Sequence, residues 1–123
     1  MEVLSSRVLL RPKDFATTVR FYRDALGLHV YREFGGGVVF FLGGGYLEVS
    51  RQSNEHPGRK LELWMQVRDV DRVHAELAEK GVEILEPPED KSWGLREMQV
   101  RDPDDVRIFV VQVPNDHPLR LRR

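Results

Sequence analysis

Two stretches of this chain repeat each other, and the repeat restricts the available folds more than any single motif does. Arg11-Pro12-Lys13-Asp14-Phe15 answers Gln66-Val67-Arg68-Asp69-Val70. In each copy an aspartate that can cap a helix stands between a β-prone run and an apolar stripe. After Asp14, the residues Phe15, Val19, Tyr22 and Leu26 recur at helical spacing as far as Gly27; after Asp69, Val70, Val73 and Leu77 do the same as far as Gly81. The aspartate and the closing glycine lie thirteen residues apart in one copy and twelve in the other. Glycine there supplies the left-handed residue that commonly ends a helix.

Around each helix the remaining β-prone runs fall one before and three after. In the first copy they are Ser6 to Arg11, His29 to Phe34, Val38 to Leu42 and Tyr46 to Arg51, the last three a meander turned at Gly35-Gly36-Gly37 and Gly43-Gly44-Gly45. In the second they are Leu61 to Val67, Val82 to Leu85, Leu95 to Arg101 and Val106 to Val113. The chain therefore reads as one domain, 1–123, of two βαβββ modules, 5–52 and 61–113, with a polar linker, 53–60, and a tail, 114–123. A lone module leaves one sheet face bare. The two are expected to combine as a curled, mixed eight-stranded cup with the helices outside, an α+β fold.

The final hairpin is the most legible part. Asp102-Pro103-Asp104-Asp105 has turn chemistry, since proline presets φ and aspartate accepts local backbone bonds. In the strand that follows, Val106, Ile108, Val110 and Gln112 alternate with Arg107, Phe109, Val111 and Val113. Both faces are largely apolar, so this strand is central in its sheet or walls a cavity.

Trp93-Gly94, Arg96-Glu97-Met98 and Arg101-Asp102-Pro103-Asp104-Asp105 together resemble the closing strands of the vicinal oxygen chelate superfamily of glyoxalases, bleomycin-resistance proteins and dioxygenases. The bleomycin-resistance-like branch is the nearest in wording. Met98 replaces an aromatic residue of that pattern, and Asp105 a glycine that serves positive φ; aspartate tolerates that conformation at modest cost. The resemblance covers nearly the whole chain and implies the paired-module cup.

It also implies four positions at the floor of the cup where metal-dependent relatives present ligands, here Arg7, Glu48, Glu62 and Phe109. Arginine offers donors only and phenylalanine no lone pair, so no catalytic metal and no cofactor are expected. His29, His56, His74 and His117 show no ligand spacing, and the absence of cysteine removes thiolate sites and disulfides. A displaced metal site built from Glu48, Glu62 and a histidine stays open as an alternative. Arg7 between the two carboxylates is expected to form an ion cluster, either structural or exchanging with a polar ligand group.

Aromatic residues suit such a cup to a flat organic ligand, although alternation sends only one of Phe40 and Phe41 inward. The candidate ligand-binding residues are Trp93, Arg7, Glu48, Glu62, Trp64, Phe109 and Arg96. What the resemblance implies is a metal-free small-molecule binding protein that sequesters its ligand, an antibiotic being one class, and that forms a homodimer. The alternatives are an enzyme of lyase, dioxygenase or isomerase type, and a regulatory or structural module without a ligand.

Other functions are disfavoured on composition. Nineteen basic against twenty acidic residues, a net charge of −1, give no reason to expect nucleic acid or an anionic membrane as partner. The tail arginines Arg120, Arg122 and Arg123 read as a solvated or disordered end rather than a nucleic-acid arm. Nothing approaches membrane-spanning length, and a cytoplasmic location is expected. Neither triple glycine precedes a helix or a Gly-Lys-Ser/Thr, so neither is a phosphate loop.

Overall fold

The computed structural model describes residues 1–58 and 60–118, and the expectation for Arg120, Arg122 and Arg123 falls outside them. Each half of the repeat folds as β-α-β-β-β. The first module comprises β1 (Arg7–Leu10), α1 (Phe15–Arg20), β2 (Val30–Phe34), β3 (Gly37–Leu42) and β4 (Gly45–Ser50). The second comprises β5 (Glu62–Val67), α2 (Val70–Glu79), β6 (Glu83–Asp90), β7 (Arg96–Arg101) and β8 (Arg107–Gln112). The chain divides into two compact units, Met1–His56 and the part from Pro57 onward, inside the polar linker. No helix among the described residues is long and apolar enough to cross a membrane.

The eight strands form two four-stranded mixed sheets of the same topology, β1-β4-β3-β2 and β5-β8-β7-β6. In each, the first strand runs parallel to the last, and the other pairs are antiparallel. Val106 to Val113 does contain a central strand: β8 lies between β5 and β7.

The repeat extends to the caps. Asp14 and Asp69 each accept a bond from the backbone N–H three residues on, Thr17 at 3.0 Å and Arg72 at 3.1 Å. The next orphan donor of each helix goes to a glutamine carbonyl: Phe15 N–H to Gln52 at 2.7 Å, and Val70 N–H to Gln112 at 2.9 Å. At the other end Gly27 (φ 72) and Gly81 (φ 77) turn the chain, and the residues after them bond back to Tyr22 at 2.9 Å and Leu77 at 3.0 Å. Only the middle of the first helix departs from expectation. After Arg20 it widens into a π-helical turn, Phe21–Ala25, that brings Tyr22 to full burial.

One face of each sheet carries the core. In the first module Phe40 and Leu47 face α1 and the π-turn, with Tyr22 and Phe40 rings 6.3 Å apart. In the second, Val70 and Leu77 of α2 are buried with Met98, Ile108 and Val110. Each fully buried side chain of this size contributes roughly 1.5–3 kcal/mol of transfer free energy.

β6 is longer than the expected Val82 to Leu85. It runs through Pro87 and Pro88 to Asp90, with register shifts between Ile84 and Glu86 and between Glu86 and Glu89. Proline cannot donate to a ladder, but β6 is an edge strand and both prolines fall in its irregular register between Glu86 and Glu89, where the regular ladder is interrupted. The positive φ expected at Asp105 is present, at 71°.

Candidate functional site

The sheet face of the first module that turns away from α1 holds a closed polar cluster. β1 and β4 are in parallel register, with Arg7 beside Tyr46 and Leu9 beside Glu48, so that strand alternation lines up Tyr46, Glu48 and Ser50 on one side. Arg7 Nη1 donates to Glu48 Oε1 at 2.8 Å, and Ser50 Oγ donates to Glu48 Oε2 at 2.6 Å. Arg11 Nη1 donates to Ser50 Oγ at 2.9 Å and lies 3.8 Å from Glu48 Oε2. Both carboxylate oxygens are engaged.

The Ser50 hydroxyl, and after it the Arg7 guanidinium, hold the Glu48 carboxyl below its usual value of 4.5. A folded-state pKa that lies below the unfolded one gives stability that is complete above the unfolded value and disappears as pH falls through the folded one. Glu48→Gln is therefore expected to lower the melting temperature at pH 7 and to narrow its gap from the parent protein as pH drops below the usual carboxyl value of 4.5. Melts of both proteins from pH 7 to pH 3 check this; a gap that stays constant across that range would contradict it.

Beside the polar cluster lies an aromatic patch. Tyr31 and Tyr46 rings are 4.8 Å apart, Tyr31 and Phe41 5.1 Å, and the Arg7 guanidinium sits 5.9 Å from the Tyr46 centroid. Tyr31 reaches the patch through a bulge: β2 advances from Val30 to Arg32 while β3 moves by one residue, from Phe40 to Val39. The extra residue is re-aimed by the bulge. Phe40 is in the core and Phe41, 46% exposed, is on the patch.

The second module places Glu62, Trp64 and Phe109 on one face of β5 and β8. Glu62 lies opposite Arg107, with their charged groups 3.8 Å apart, and Trp64 lies opposite Phe109. Trp64 is half exposed, while Phe109 packs on Leu95, Val111 and Val113. Trp93, 58% exposed, is tethered by an indole N–H bond to the buried Glu97 at 2.6 Å. Arg96 grips Asp71 with two bonds, 2.8 and 2.9 Å, and Asp90 with a third, 3.1 Å. Those carboxylates hold its guanidinium pKa well above the usual arginine value.

The seven residues singled out from sequence thus fall into three groups: Arg7 with Glu48; Glu62, Trp64 and Phe109; and Trp93 and Arg96, each already bonded to an acidic residue. Glu62 takes Arg107 as its ion partner. Ser50, Arg11 and Tyr31 were not singled out. For Ser50 and Arg11 the signal was available, since Ser50 follows Glu48 at the strand period and Arg11 follows Arg7 by four residues. The bulge at Tyr31 has no local sequence signature.

Residues 5–110 match the model of the Glyoxalase/Bleomycin resistance protein/Dioxygenase superfamily. The chain belongs to that superfamily. It is 32% identical to an uncharacterized protein, YraH, of Bacillus subtilis, an alignment that covers 92% of this chain and 99% of that one. A protein of unknown function from Agrobacterium tumefaciens is 28% identical, with a TM-score of 0.74 over 93% of this chain and 95% of that one. A glyoxalase/bleomycin resistance protein/dioxygenase from Nocardioides shares the fold, with a TM-score of 0.78, at 19% identity over 96% and 89% of the two chains.

Divalent metals serve some members of the superfamily, and the donors here do not fit one. Glu48 has both oxygens bonded, with two guanidiniums beside it, and its neighbour Arg7 carries donors only. In the second module Phe109, at the position where the resemblance implies a ligand, has no lone pair to offer. Among the described residues no three histidine, aspartate or glutamate side chains gather so as to hold an ion.

Proposed function

We infer that this superfamily member is a small-molecule binding protein of the bleomycin-resistance-like type, which sequesters an organic ligand, an antibiotic being one class, without a divalent cation. The observation that carries the reading is the Glu48 cluster: its carboxylate is ionised, bonded to Arg7 and Ser50, and flanked by the Tyr31, Phe41 and Tyr46 rings. Aromatic rings beside guanidiniums suit a flat molecule that carries a polar or anionic substituent. Acid–base catalysis by Glu48 is a poorer fit. A carboxyl held low by hydrogen bonds is a weak base, and its lone pairs are already in use. A homodimer, which the resemblance implies, and a cytoplasmic location are part of this reading.

Calorimetric titration with metal-free bleomycin and a panel of aromatic antibiotics, with and without chelator, tests the proposal. At least one compound is expected to bind with micromolar or better affinity, unaffected by chelator, to a protein that scatters light as a dimer. Glu48→Ala is expected to weaken that binding roughly ten-fold, the worth of a charged hydrogen bond, when measured at temperatures where the variant, with its lower melting temperature, stays folded. Binding abolished by chelator, or a monodisperse monomer at micromolar concentration, would overturn the metal-free reading or the dimer respectively.

A further inference from the structure

The two modules differ in how their helices meet their sheets, and the difference opens a groove in the first. Ladder registers make Val39 the counterpart of Gln99, since they pair with Glu48 and Phe109, and so make Gly36 the counterpart of Arg96. Counted from the capping aspartates, Ala16 is the counterpart of Asp71. In the second module Arg96 and Asp71 form the two-bond bridge that ties the start of α2 to β7. In the first module, alanine and glycine cannot make it. What remains is an open groove of about 400 Å³ beside α1, lined by both of these residues together with Phe15, Val19, Val38 and Glu33, with Arg20 and Arg23 also on it.

Its charges are unevenly satisfied. Arg23 bonds Asp24 at 3.0 Å. Among the described residues Arg20 donates to the Thr17 hydroxyl, at 3.4 Å, and its charge is felt by Asp14, but no carboxylate lies within ion-pair distance of it. Glu33 likewise has no ion pair, although the Arg23 charge is felt across the groove. Two exposed, opposite charges, neither in an ion pair among the described residues, therefore border one apolar floor. A ligand with a carboxylate, an ammonium and an apolar body would satisfy all three, whereas a simple acid would meet Glu33 and a simple amine Arg20 and Arg23.

The geometry points to this groove as a second binding site, separate from the Glu48 face, for a zwitterion with an apolar side chain: a free hydrophobic amino acid. Its carboxylate pairs with Arg20, its ammonium with Glu33, and its side chain rests on Phe15, Val19 and Val38. The site needs nothing from the antibiotic-binding reading above.

Amide NMR titration of the full chain with L-phenylalanine tests it, with 3-phenylpropionate and 2-phenylethylamine as partners that each lack one charge. Saturable shifts confined to Phe15 through Arg23 and Glu33 through Val38 are expected for phenylalanine, with either control at least roughly five-fold weaker. Arg20→Gln and Glu33→Gln should each bring phenylalanine down to the level of the matching control. Ala16→Trp, a substitution on the exposed helix surface that fills the groove, should remove the shifts. No saturable shifts, shifts centred elsewhere, or controls that bind as well as phenylalanine would overturn the proposal.

Discussion

Phe40→Ala is expected to remove about 3–5 kcal/mol of stability, whereas the same truncation at the next residue, Phe41→Ala, is expected to cost less than about 1 kcal/mol. The two side chains have the same chemistry and adjacent positions in β3, and strand alternation alone separates their fates. Phe40 is fully buried against Tyr22, and its ladder partner is Leu47, itself fully buried. Alanine there leaves a cavity that a closely packed interior closes only in part. Phe41 is 46% exposed and touches Tyr31 and Tyr46, so its loss removes surface that water already reaches. In thermal melts the first variant should fall by on the order of 10–20 °C and the second by a few degrees at most. Their order reverses in binding: Phe41→Ala should weaken an aromatic ligand on the Glu48 face, and Phe40→Ala should not do so at temperatures where it stays folded. Equal losses of stability would mean that β3 does not present its faces as described.

That contrast also shows what sequence periodicity can and cannot reveal. Alternation announces that Phe40 and Phe41 differ, and the aspartate-to-glycine frames announce two helices and their ends, because those signals depend on neighbours only a few residues away. The positive φ of Asp105 is legible for the same reason: a two-strand turn demands it. Pro87 and Pro88 mislead, since they read as a break until the topology shows β6 on an edge. The glutamine caps show how non-local bonds escape. Gln52 and Gln112 serve matching N–H groups, yet relative to the ladders Gln52 comes one residue later, an offset that coincides with the positive φ of Arg51 (54°). Arg96 makes the same point for the site. Its place in a hairpin motif suggested a ligand contact, while its three bonds run to Asp71 and Asp90, which the chain brings near only after α2 and β6 have formed. The Glu48 cluster is intermediate: each member lies at strand period from another, but the pairing of β1 with β4 is needed to join the two halves.

The closing hairpin carries the second large effect. Asp102, 4% exposed, accepts two backbone bonds on one oxygen, from Asp104 N–H at 2.8 Å and Val106 N–H at 2.9 Å. Its own N–H and carbonyl meet Val106 and Asp105, each at 3.0 Å, so the turn is bonded from both sides of this residue. Val106 is buried, and its N–H has no water to fall back on once the carboxylate is gone. Asp102→Ala is therefore expected to cost about 2–4 kcal/mol, from one stranded buried donor and one weakened bond. Asp102→Asn keeps an acceptor at the same place and loses only the charge assistance, so it should cost about 1 kcal/mol. Because β7 and β8 occupy the centre of their sheet on the strength of this turn, the loss should be global. Urea unfolding should show a lower midpoint with an unchanged slope, and hydrogen exchange should quicken at Val106 before it does at Ile108 or Val110. If Asp102→Ala unfolds within about 0.5 kcal/mol of the parent protein, the aspartate is not what holds the turn, and the local bonds of Asp104 and Asp105 must suffice without it.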